Sequence, residues 1–300
     1  MEFQQQIKIR STGQLLNLGI LIIFFLLYAP ILLHWLDGWL HKSISIEHEY
    51  FSHGIIGLPF AGYIAWTNRK KWQRLPDSSH PVSIGLLITG VIFYLSGVSE
   101  WVNLSLPTIL VGLCLWFKGI PGLQLQGFPL LLVFLATPTA LPYIIAPYTF
   151  PLQSFIASTA AFILNQFGMN VIVDGINLYV NGRIVEVAPY CAGLKMLFTT
   201  LYVSLILLYW TETMSSRRIT AWFLSIAIVI SVTANIIRNT LLTFFHGTGN
   251  QGAFTWLHDG WGGDLYSACM LLSLVPLLNW MNSYFPEKPA IELAETVEEA

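Results

Sequence analysis

The sequence predicts an all-α polytopic membrane protein with about eight transmembrane helices. Hydrophobic residues make up 55% of the 300 residues and charged residues only 10%, whereas soluble domains carry about 25% charged residues. The mean hydropathy is +0.63, and the apolar residues are gathered into runs separated by polar loops. A chain with so few charges must expose much of its surface to lipid.

Eight segments are apolar and close to the length of about 20 residues that a membrane helix needs. They are roughly 14–35, 53–67, 82–99, 104–117, 128–146, 192–210, 219–245 and 264–282. The first is too long for the apolar part of a signal peptide, so we expect it to be retained as a helix. We predict a single integral membrane domain over 1–285, followed by an acidic, loosely ordered cytoplasmic tail at 286–300.

The orientation of these helices follows from the basic residues, because cytoplasmic loops collect Lys and Arg. The number of transmembrane helices depends on whether the segment 152–167 spans the membrane. This segment carries many polar residues and follows a proline-rich stretch that breaks a helix. If it lies in the membrane interface, the basic clusters all fall on one side: Lys8/Arg10, 69–74, Lys118 and Arg217/Arg218. If it is a ninth crossing, the last cluster moves to the other side. We expect the first arrangement, with both termini in the cytoplasm.

The loop 168–190 differs from the rest of the chain. Its β-branched residues alternate with polar ones and are interrupted by Asp174-Gly175 and Asn181-Gly182. Such dipeptides between alternating runs are typical of tight hairpin turns. We predict a small extracytoplasmic β-hairpin that leads directly into Cys191 and the helix after it.

Composition also limits which partners and cofactors we expect this protein to bind. The net charge is −2 and there is no basic tract, which argues against a nucleic-acid partner. Cys114 and Cys269 sit inside apolar runs, so the cysteines do not indicate a disulfide framework. The Glu/His-rich loop 47–53 has no zinc-site spacing, and we expect neither a metal nor another cofactor. Tyr50 and His53 in this loop either support substrate binding or are simply solvated.

Three polar residues in the last part of the chain are not explained by the bilayer, in which an ionisable group indicates a function by default. Cys191 stands at the start of one predicted helix, Arg238 near the outer end of the next, and His258 just before the last. The orientation deduced from loop charges places all three on the extracytoplasmic face. We therefore expect them to form one site.

Such a set suits nucleophilic catalysis. The thiolate is the reactive form of cysteine, and a helix start or a nearby cation lowers a thiol pKa from about 8.5 to between about 3.5 and 7.5. His258 would protonate a leaving amine and later activate the incoming nucleophile. Arg238 is either the cation beside the thiolate or the group that stabilises an oxyanion. Gly193 would let a substrate backbone approach closely, and Glu186 would orient His258 or Arg238 unless it is an ordinary strand residue.

Each residue also has a plainer explanation. A lone cysteine at a helix start is usually inert, and an arginine near a helix end often snorkels to the lipid headgroups. His258 could belong to an aromatic belt with the two tryptophans near it. Lys195, one turn into its helix, is better explained by snorkelling or pairing than by Schiff-base chemistry. Only the three residues together indicate a site.

Three short motifs follow one another along the chain: Cys191-Ala-Gly193, Asn235-x-x-Arg238 and His258-x-x-x-Gly262. In this order they resemble the signature motifs of the exosortase/archaeosortase family. The stretch from Tyr50 to Gly54 and the proline-interrupted run before the hairpin are also similar to that family. The resemblance covers about 15–282, and within the family the chain looks most like the cyanobacterial exosortases. The family commonly has Ser after the cysteine; this chain has Ala192, so backbone N–H groups would have to bind an oxyanion.

The resemblance implies a membrane-embedded cysteine protease or transpeptidase, with Cys191 as nucleophile and Arg238 and His258 as its partners. Asn235, in the motif of Arg238, is expected to support them. The substrates would be exported proteins with a C-terminal sorting tail, made of a short motif such as Pro-Glu-Pro, a transmembrane helix and a basic cluster. The enzyme would cut near the motif and transfer the new C-terminus to an acceptor. It would lie in the plasma (inner) membrane with its active site on the extracytoplasmic face.

Two other functions stay open at this point. A transporter or flippase would bind an anionic substrate through Arg238 and Lys195, and broken, proline-rich helices favour it. Against it, the sequence has no internal repeat and few charges in mid-helix. A membrane assembly protein without catalysis would need none of the three residues.

Overall fold

The computed structural model describes residues 2–41, 50–188 and 193–285, and within the first helix it describes the burial of Gly19 and 22–40 only. The protein is about 80% helical. It divides into two compact units, Met1–Ala140 and Leu141–Ala300. Two predictions fall outside the described residues: the acidic tail at 286–300, and the placement of Cys191. The single membrane domain over 1–285 stays a prediction.

The first unit is built from helices over the predicted apolar segments, although the first helix begins twelve residues before the predicted 14–35 and ends six residues after it. They are α1 (Glu2–His41), α2 (Gly54–Thr67), α3 (Arg69–Arg74), α4 (Val82–Leu95) and α5 (Ser99–Ala136). The predicted segments 104–117 and 128–146 both fall on α5. The predicted segment 128–146 extends ten residues beyond the end of α5. The helix ends at Ala136 because Pro138 disfavours a helical conformation in the residue before it.

A backbone break divides α5 into two halves. Gly119 has φ 59° and ψ −150°, a region that residues with a Cβ avoid. Just before it, the buried Lys118 donates from Nζ to the carbonyl of Leu75 at 2.7 Å and pairs with the carboxylate of Asp77. A Cβ on Gly119 would lie 2.9 Å from Oγ of Ser78. The loop between α3 and α4 is therefore held against the break, which separates the two predicted segments.

Two pairs of buried polar side chains in the first unit are hydrogen-bonded to each other. Trp35 Nε1 donates to Asn103 Oδ1 at 2.8 Å, and the hydroxyls of Tyr28 and Ser105 share a hydrogen bond of 2.7 Å. Tyr28, Trp35 and Trp39 form the core of this unit together with Leu106. Burying an unpaired polar group is costly in an apolar environment, so these bonds select one packing of α1 against α5.

The second unit contains the remaining helices and the sheet. Its elements are α6 (Leu141–Ile145), α7 (Phe150–Gln166), β1 (Val171–Asp174), β2 (Asn177–Val180), β3 (Arg183–Glu186), α8 (Leu194–Trp210), α9 (Arg217–Gly247), α10 (Gln251–His258), α11 (Trp261–Leu272) and α12 (Leu274–Tyr284), with 3₁₀ turns at Ala146–Thr149 and Thr213–Ser215. The predicted segment 264–282 corresponds to α11 and α12, which meet at Ser273.

The predicted β-hairpin is wrong in its number of strands. The loop 168–190 forms a three-stranded antiparallel sheet in the order β1-β2-β3. Both predicted turn dipeptides are used, and two turns join three strands. Asn181 and Gly182 have φ 49° and 75°, the conformation that a tight hairpin turn requires at its two central residues. The first turn has Gly175 at φ 62°.

The sheet packs one face on α7. Residues of this face and of α7 form a buried cluster that contains Ile156, Ala160, Val171, Leu178 and Val180. Gln153 Nε2 donates to the carbonyl of Val187 at 2.8 Å, which attaches α7 to the chain just after β3. Because one face of α7 is buried in this way, Phe155 and Phe162 lie on its exposed side. The position of 152–167 in the membrane interface stays a prediction.

The β2–β3 turn is fastened to the C-terminal end of α9. Arg183 Nη1 donates to the carbonyl of His246 at 2.8 Å, and Asn181 Nδ2 donates to the carbonyl of Gly247 at 3.0 Å. The last carbonyls of a helix need such donors, and a cation is favourable there. A Cβ on Gly247 would lie 2.7 Å from Cγ2 of Val180, so the glycine permits the close approach. The sheet is thus positioned by the helix that carries Arg238.

Four helical segments in the described part of the chain are long and apolar enough to cross a membrane. They are Ile22–Leu40, Ser99–Ala136, Arg217–Gly247 and Trp261–Tyr284, and three shorter apolar helices accompany them: Gly54–Thr67, Val82–Leu95 and Leu194–Trp210. A largely helical protein with several apolar helices and one small sheet is confirmed. The count of eight crossings stays a prediction.

Candidate active site

The helix α9 carries both polar residues of the Asn-x-x-Arg motif. Asn235 is buried, with 1% of its surface exposed, and Arg238 is partly buried one turn later. The Nε atom of Arg238 is buried and has no hydrogen-bond partner among the described residues. A buried N–H without an acceptor is costly. Arg238 therefore has hydrogen-bonding capacity to offer a ligand or a substrate group.

Gly193, the last residue of the Cys-Ala-Gly motif, lies directly against Asn235. Its φ is 83°, and a Cβ there would come within 2.7 Å of both Cγ and Nδ2 of Asn235. Gly193 precedes α8, and its carbonyl accepts from the N–H of Leu197 at 2.8 Å. The first two sequence motifs therefore meet in the structure, and the contact leaves no room for a larger residue at position 193.

Cys191 lies in the segment 189–192, outside the described residues. The chain on either side of this segment is held in place. Before it, the N–H of Val187 donates to the carbonyl of Ile176 at 2.9 Å, and the carbonyl of Val187 accepts from Gln153. After it, Gly193 packs on Asn235. The segment that contains the cysteine thus joins two fixed points of the same unit.

His258 is the last residue of α10, and its ring is held from two sides. Its Nδ1 atom lies 2.7 Å from Oδ1 of Asp259, and 29% of its side chain is exposed. The ring of Phe254 stacks on the imidazole, with 5.2 Å between centroids and 10° between planes. A histidine that donates from Nδ1 to a carboxylate presents Nε2 for proton transfer. This arrangement suits a general acid or base.

Glycines bring the His-x-x-x-Gly motif close to Arg238. A Cβ on Gly262 would come within 2.5 Å of the Trp256 ring, so this glycine lets the tryptophan cover the start of α11. A Cβ on Gly263 would lie 2.7 Å from the carbonyl oxygen of Leu257 and 3.5 Å from Nη2 of Arg238. The guanidinium therefore lies beside the first turn of α11, the helix that begins directly after the two-residue loop following His258.

A hydrogen bond also joins α11 to α9. The hydroxyl of Tyr266 donates to the carbonyl of Ala234 at 2.6 Å. Ala234 directly precedes Asn235, so this bond fixes α11 next to the part of α9 that carries the motif. The elements that bear Gly193, Arg238 and the start of α11 are therefore parts of one packed arrangement.

The other residues nominated from the sequence lie in different surroundings. Glu186 is exposed at the end of β3, and Lys195 is partly buried in the first turn of α8. In the first unit, Tyr50 and His53 are both 4% exposed, and Nε2 of His53 hydrogen-bonds the carbonyl of Leu135 at 3.0 Å. Burial lowers the pKa of His53, in the turn before α2, to about 4. Its imidazole is therefore neutral near pH 7.

Three residues around His258 were not predicted from the sequence. Asp259 is the carboxylate next to its Nδ1 atom and Phe254 is the ring stacked on it. His246 packs its ring 5.2 Å from that of Phe254, and its buried Nδ1 atom has no hydrogen-bond partner among the described residues. The adjacency of Asp259 in the sequence was a usable signal; the two aromatic contacts depend on how α9 and α10 pack. Among the described residues, no three His, Cys, Asp or Glu side chains cluster as metal ligands.

Comparison with known proteins gives one match. The model of the family described as transmembrane exosortase (Exosortase_EpsH) matches residues 35–275. No curated protein and no solved structure matches the chain. The matched range covers well over half of the sequence and includes all three motifs, while the predicted likeness to the cyanobacterial branch stays a prediction. The chain therefore belongs to the transmembrane exosortase family.

Proposed function

We propose that this protein is a membrane-embedded cysteine peptidase of the transpeptidase type, which cleaves C-terminal sorting tails of exported proteins and transfers the new C-terminus to an acceptor. The contact that supports this most is that between Gly193 and Asn235. It joins the motif of the proposed nucleophile to the motif of its proposed cationic partner. Family membership and the apolar helices agree with a site that acts on membrane-tethered proteins.

Covalent geometry keeps the proposed nucleophile near this contact. Two residues of extended chain span at most about 7 Å, and Cys191 is two residues from Gly193. The Cα atom of Cys191 is therefore within about 7 Å of that of Gly193, which contacts Asn235. This bound follows from the chain connection alone.

The proposed reaction has two halves. In the first, the Cys191 thiolate attacks the scissile carbonyl, the C–S bond forms, and the C–N bond breaks as His258 gives a proton to the leaving amine. In the second, His258 takes a proton from the acceptor nucleophile, which attacks the thioester and releases the thiolate. The acceptor joins the carbonyl carbon, so no oxidant or reductant is needed. Asp259, whose Oδ1 lies 2.7 Å from Nδ1 of His258, is proposed to fix the orientation of the imidazole.

Arg238 is proposed to stabilise negative charge during both halves. Its buried Nε, which has no hydrogen-bond partner within 2–41, 50–188 and 193–285, is a donor that can serve either the thiolate or the oxyanion of the tetrahedral intermediate. Ala192 has no hydroxyl to share this task. Backbone N–H groups near the cysteine would supply the other donor. Asn235 is proposed to act indirectly: its contact with Gly193 positions the chain next to the cysteine.

The location of the substrate follows from the proposed orientation. A tail that is anchored by its own transmembrane helix presents the bond to be cut at the outer membrane surface, where Cys191, Arg238 and His258 are predicted to lie. A basic cluster after that helix would stop it at the cytoplasmic side. The proposal therefore places the enzyme in the plasma (inner) membrane of a cell that exports tail-bearing proteins.

The test uses the complete protein in membranes that also contain an exported reporter with a sorting tail. Cys191→Ala should abolish processing of the reporter, and Arg238→Ala and His258→Ala should each reduce it at least a hundredfold. Cys114→Ala and Cys269→Ala are matched controls, since they remove the other thiols and should leave processing unchanged. Normal processing by Cys191→Ala would exclude the proposed function and favour a transporter or an assembly protein.

A further inference from the structure

We infer that the outer edge of β3 is a docking strand for the substrate, on which an extended polypeptide segment beside the scissile bond pairs with the main chain of Ile184 and Glu186. The inference rests on the proposed function, because it takes Cys191 as the nucleophile. It adds a binding mode for the substrate: main-chain hydrogen bonds to a sheet edge that leads into the site.

The register of the sheet determines which groups face this edge. In β3, Arg183 and Val185 lie opposite Val180 and Leu178. The N–H of Val187 donates to the carbonyl of Ile176 in β2 at 2.9 Å. Since hydrogen-bonded positions alternate in an antiparallel pair, the N–H and C=O groups of Ile184 and Glu186 point away from β2. They form a row of donors and acceptors along the free side of the sheet.

Among the described residues, the opposite edge of the sheet is bonded at one position, and this edge at none. On β1, the N–H of Val171 donates to Asn165 Oδ1 at 2.8 Å, and its carbonyl accepts from Asn165 Nδ2 at 3.1 Å. No corresponding bond reaches Ile184 or Glu186 from any residue in the described ranges. Proteins generally protect exposed edge strands. An exposed edge whose outward N–H and C=O groups have no partner in the described ranges can receive an extended peptide as an additional strand.

The open edge is exposed and is connected directly to the proposed nucleophile. Ile184 is 58% exposed, and Glu186 is exposed as well. Glu186 precedes Cys191 by five residues, so their Cα atoms are at most about 17 Å apart, at about 3.3 Å per residue. An added strand of five or six residues therefore reaches from the edge to the cysteine.

The framework beneath the edge is rigid enough to fix the register of a bound peptide. Val187, next to β3, is bonded to both Ile176 and Gln153. The other end of β3 is tied to α9 by Arg183. A peptide that pairs with this strand is held extended, and its scissile carbonyl is kept at a constant position along the edge. The edge can also bind substrate segments of different sequence, because main-chain pairing does not depend on side chains.

The first test uses a photo-reactive phenylalanine analogue placed at Ile184 or at Ile172, in the Cys191→Ala protein with a tail-bearing reporter in the same membranes. Ile172 is the matched control, because it lies on the same face of the sheet, is 63% exposed, and is separated from Ile184 by β2. Two strand spacings amount to about 10 Å. Irradiation should join the reporter to position 184 at least tenfold more than to position 172. Equal capture at both positions, or capture of a second copy of the enzyme at position 184, would overturn the inference.

The second test removes one outward donor. Ile184→Pro deletes an N–H that faces away from β2, and a proline is tolerated at such an edge position. It should raise KM for the reporter about tenfold, while the rate at which iodoacetamide alkylates Cys191 stays unchanged. An unchanged KM in a folded variant would reject the docking strand. That result leaves the proposed function intact if Cys191→Ala is still inactive, so the two failures are distinguishable.

Discussion

The backbone of Gly193 lies against the side chain of Asn235, so close that a Cβ atom on residue 193 would clash with Asn235. The two residues are 42 positions apart, and each belongs to a different one of the three short motifs in the sequence. Their contact explains why a glycine follows the cysteine by two residues: its left-handed backbone and its missing side chain are both required. Several measurable consequences follow from this contact and from those around it.

Gly193→Ala should lower both stability and processing. A left-handed backbone costs a residue with a Cβ about 1–2 kcal/mol, and the clash with Asn235 adds to this. Processing of a tail-bearing reporter should fall at least tenfold, because the chain carrying Cys191 must shift. Thermal unfolding in detergent and reporter cleavage measure the two effects.

Gly252→Ala is the matched control for that substitution. Gly252 lies in the first turn of α10, and a Cβ there would meet nothing closer than Asn250 Oδ1 at 3.9 Å. The variant should be as stable as the natural protein or more stable by up to about 1 kcal/mol. Equal losses in the two glycine variants would show that the Asn235 contact is unimportant.

Asp259→Asn should reduce kcat about tenfold and leave KM unchanged, because the carboxylate beside Nδ1 orients the imidazole of His258 without touching the substrate. Asp174→Asn, at an exposed turn of the sheet, is the control and should have no effect. Steady-state cleavage of a tail-bearing reporter gives both constants. A change confined to KM would argue that Asp259 binds substrate.

Lys118→Met should destabilise the first unit more than Asp77→Asn does. Lys118 is buried and supplies a donor to the carbonyl of Leu75, so its removal leaves that carbonyl unpaired at a cost of about 1–3 kcal/mol. The Asp77 side chain is 92% exposed, and an ion pair on the surface contributes little. Unfolding temperatures in detergent compare the variants. A larger loss for Asp77→Asn would contradict the role assigned to the carbonyl.

The first unit should lose stability as the pH falls from about 6.5 to about 4. Burial lowers the pKa of His53 to about 4, so the folded state resists protonation while the unfolded state accepts a proton near pH 6.5. The stabilisation is complete above the unfolded pKa and decreases toward the folded one, by up to about 3 kcal/mol. His53→Gln keeps a donor for Leu135 and should remove this pH dependence. His80→Gln, at a partly exposed histidine, should retain it.

The orientation predicts the reactivity of thiols in intact cells. In a protein with Cys114→Ala and Cys269→Ala, a membrane-impermeant maleimide added outside should label Cys191. A cysteine placed at Arg217, in the predicted cytoplasmic loop, should react only after the membrane is permeabilised. The reverse pattern would invert the topology that the basic residues predict.

The helical part of the fold was predictable because it depends on local pattern. Apolar runs located the helices α2, α4, α8 and α9 to within a few residues, since burial in lipid requires such runs. The three-stranded sheet was missed in part, although Asp174-Gly175 and Asn181-Gly182 are both turns in it. Whether the strand after the second turn joins the sheet depends on its packing against α9, which no local pattern records.

The sequence alone determined a chain that must lie in a membrane, together with three motifs that indicate the family. Both properties are carried by residue identity and spacing, which are local. Only the tertiary structure decided that Gly193 touches Asn235 and that Gly263 lies beside Arg238. It also decided that Asp259 and Phe254 hold His258, and that Asn165 bonds the edge of β1 at Val171. Contacts between residues distant in the chain arise from the packing of whole helices. This packing is set by the sum of many small burial energies, which cannot be deduced from any single segment of the sequence.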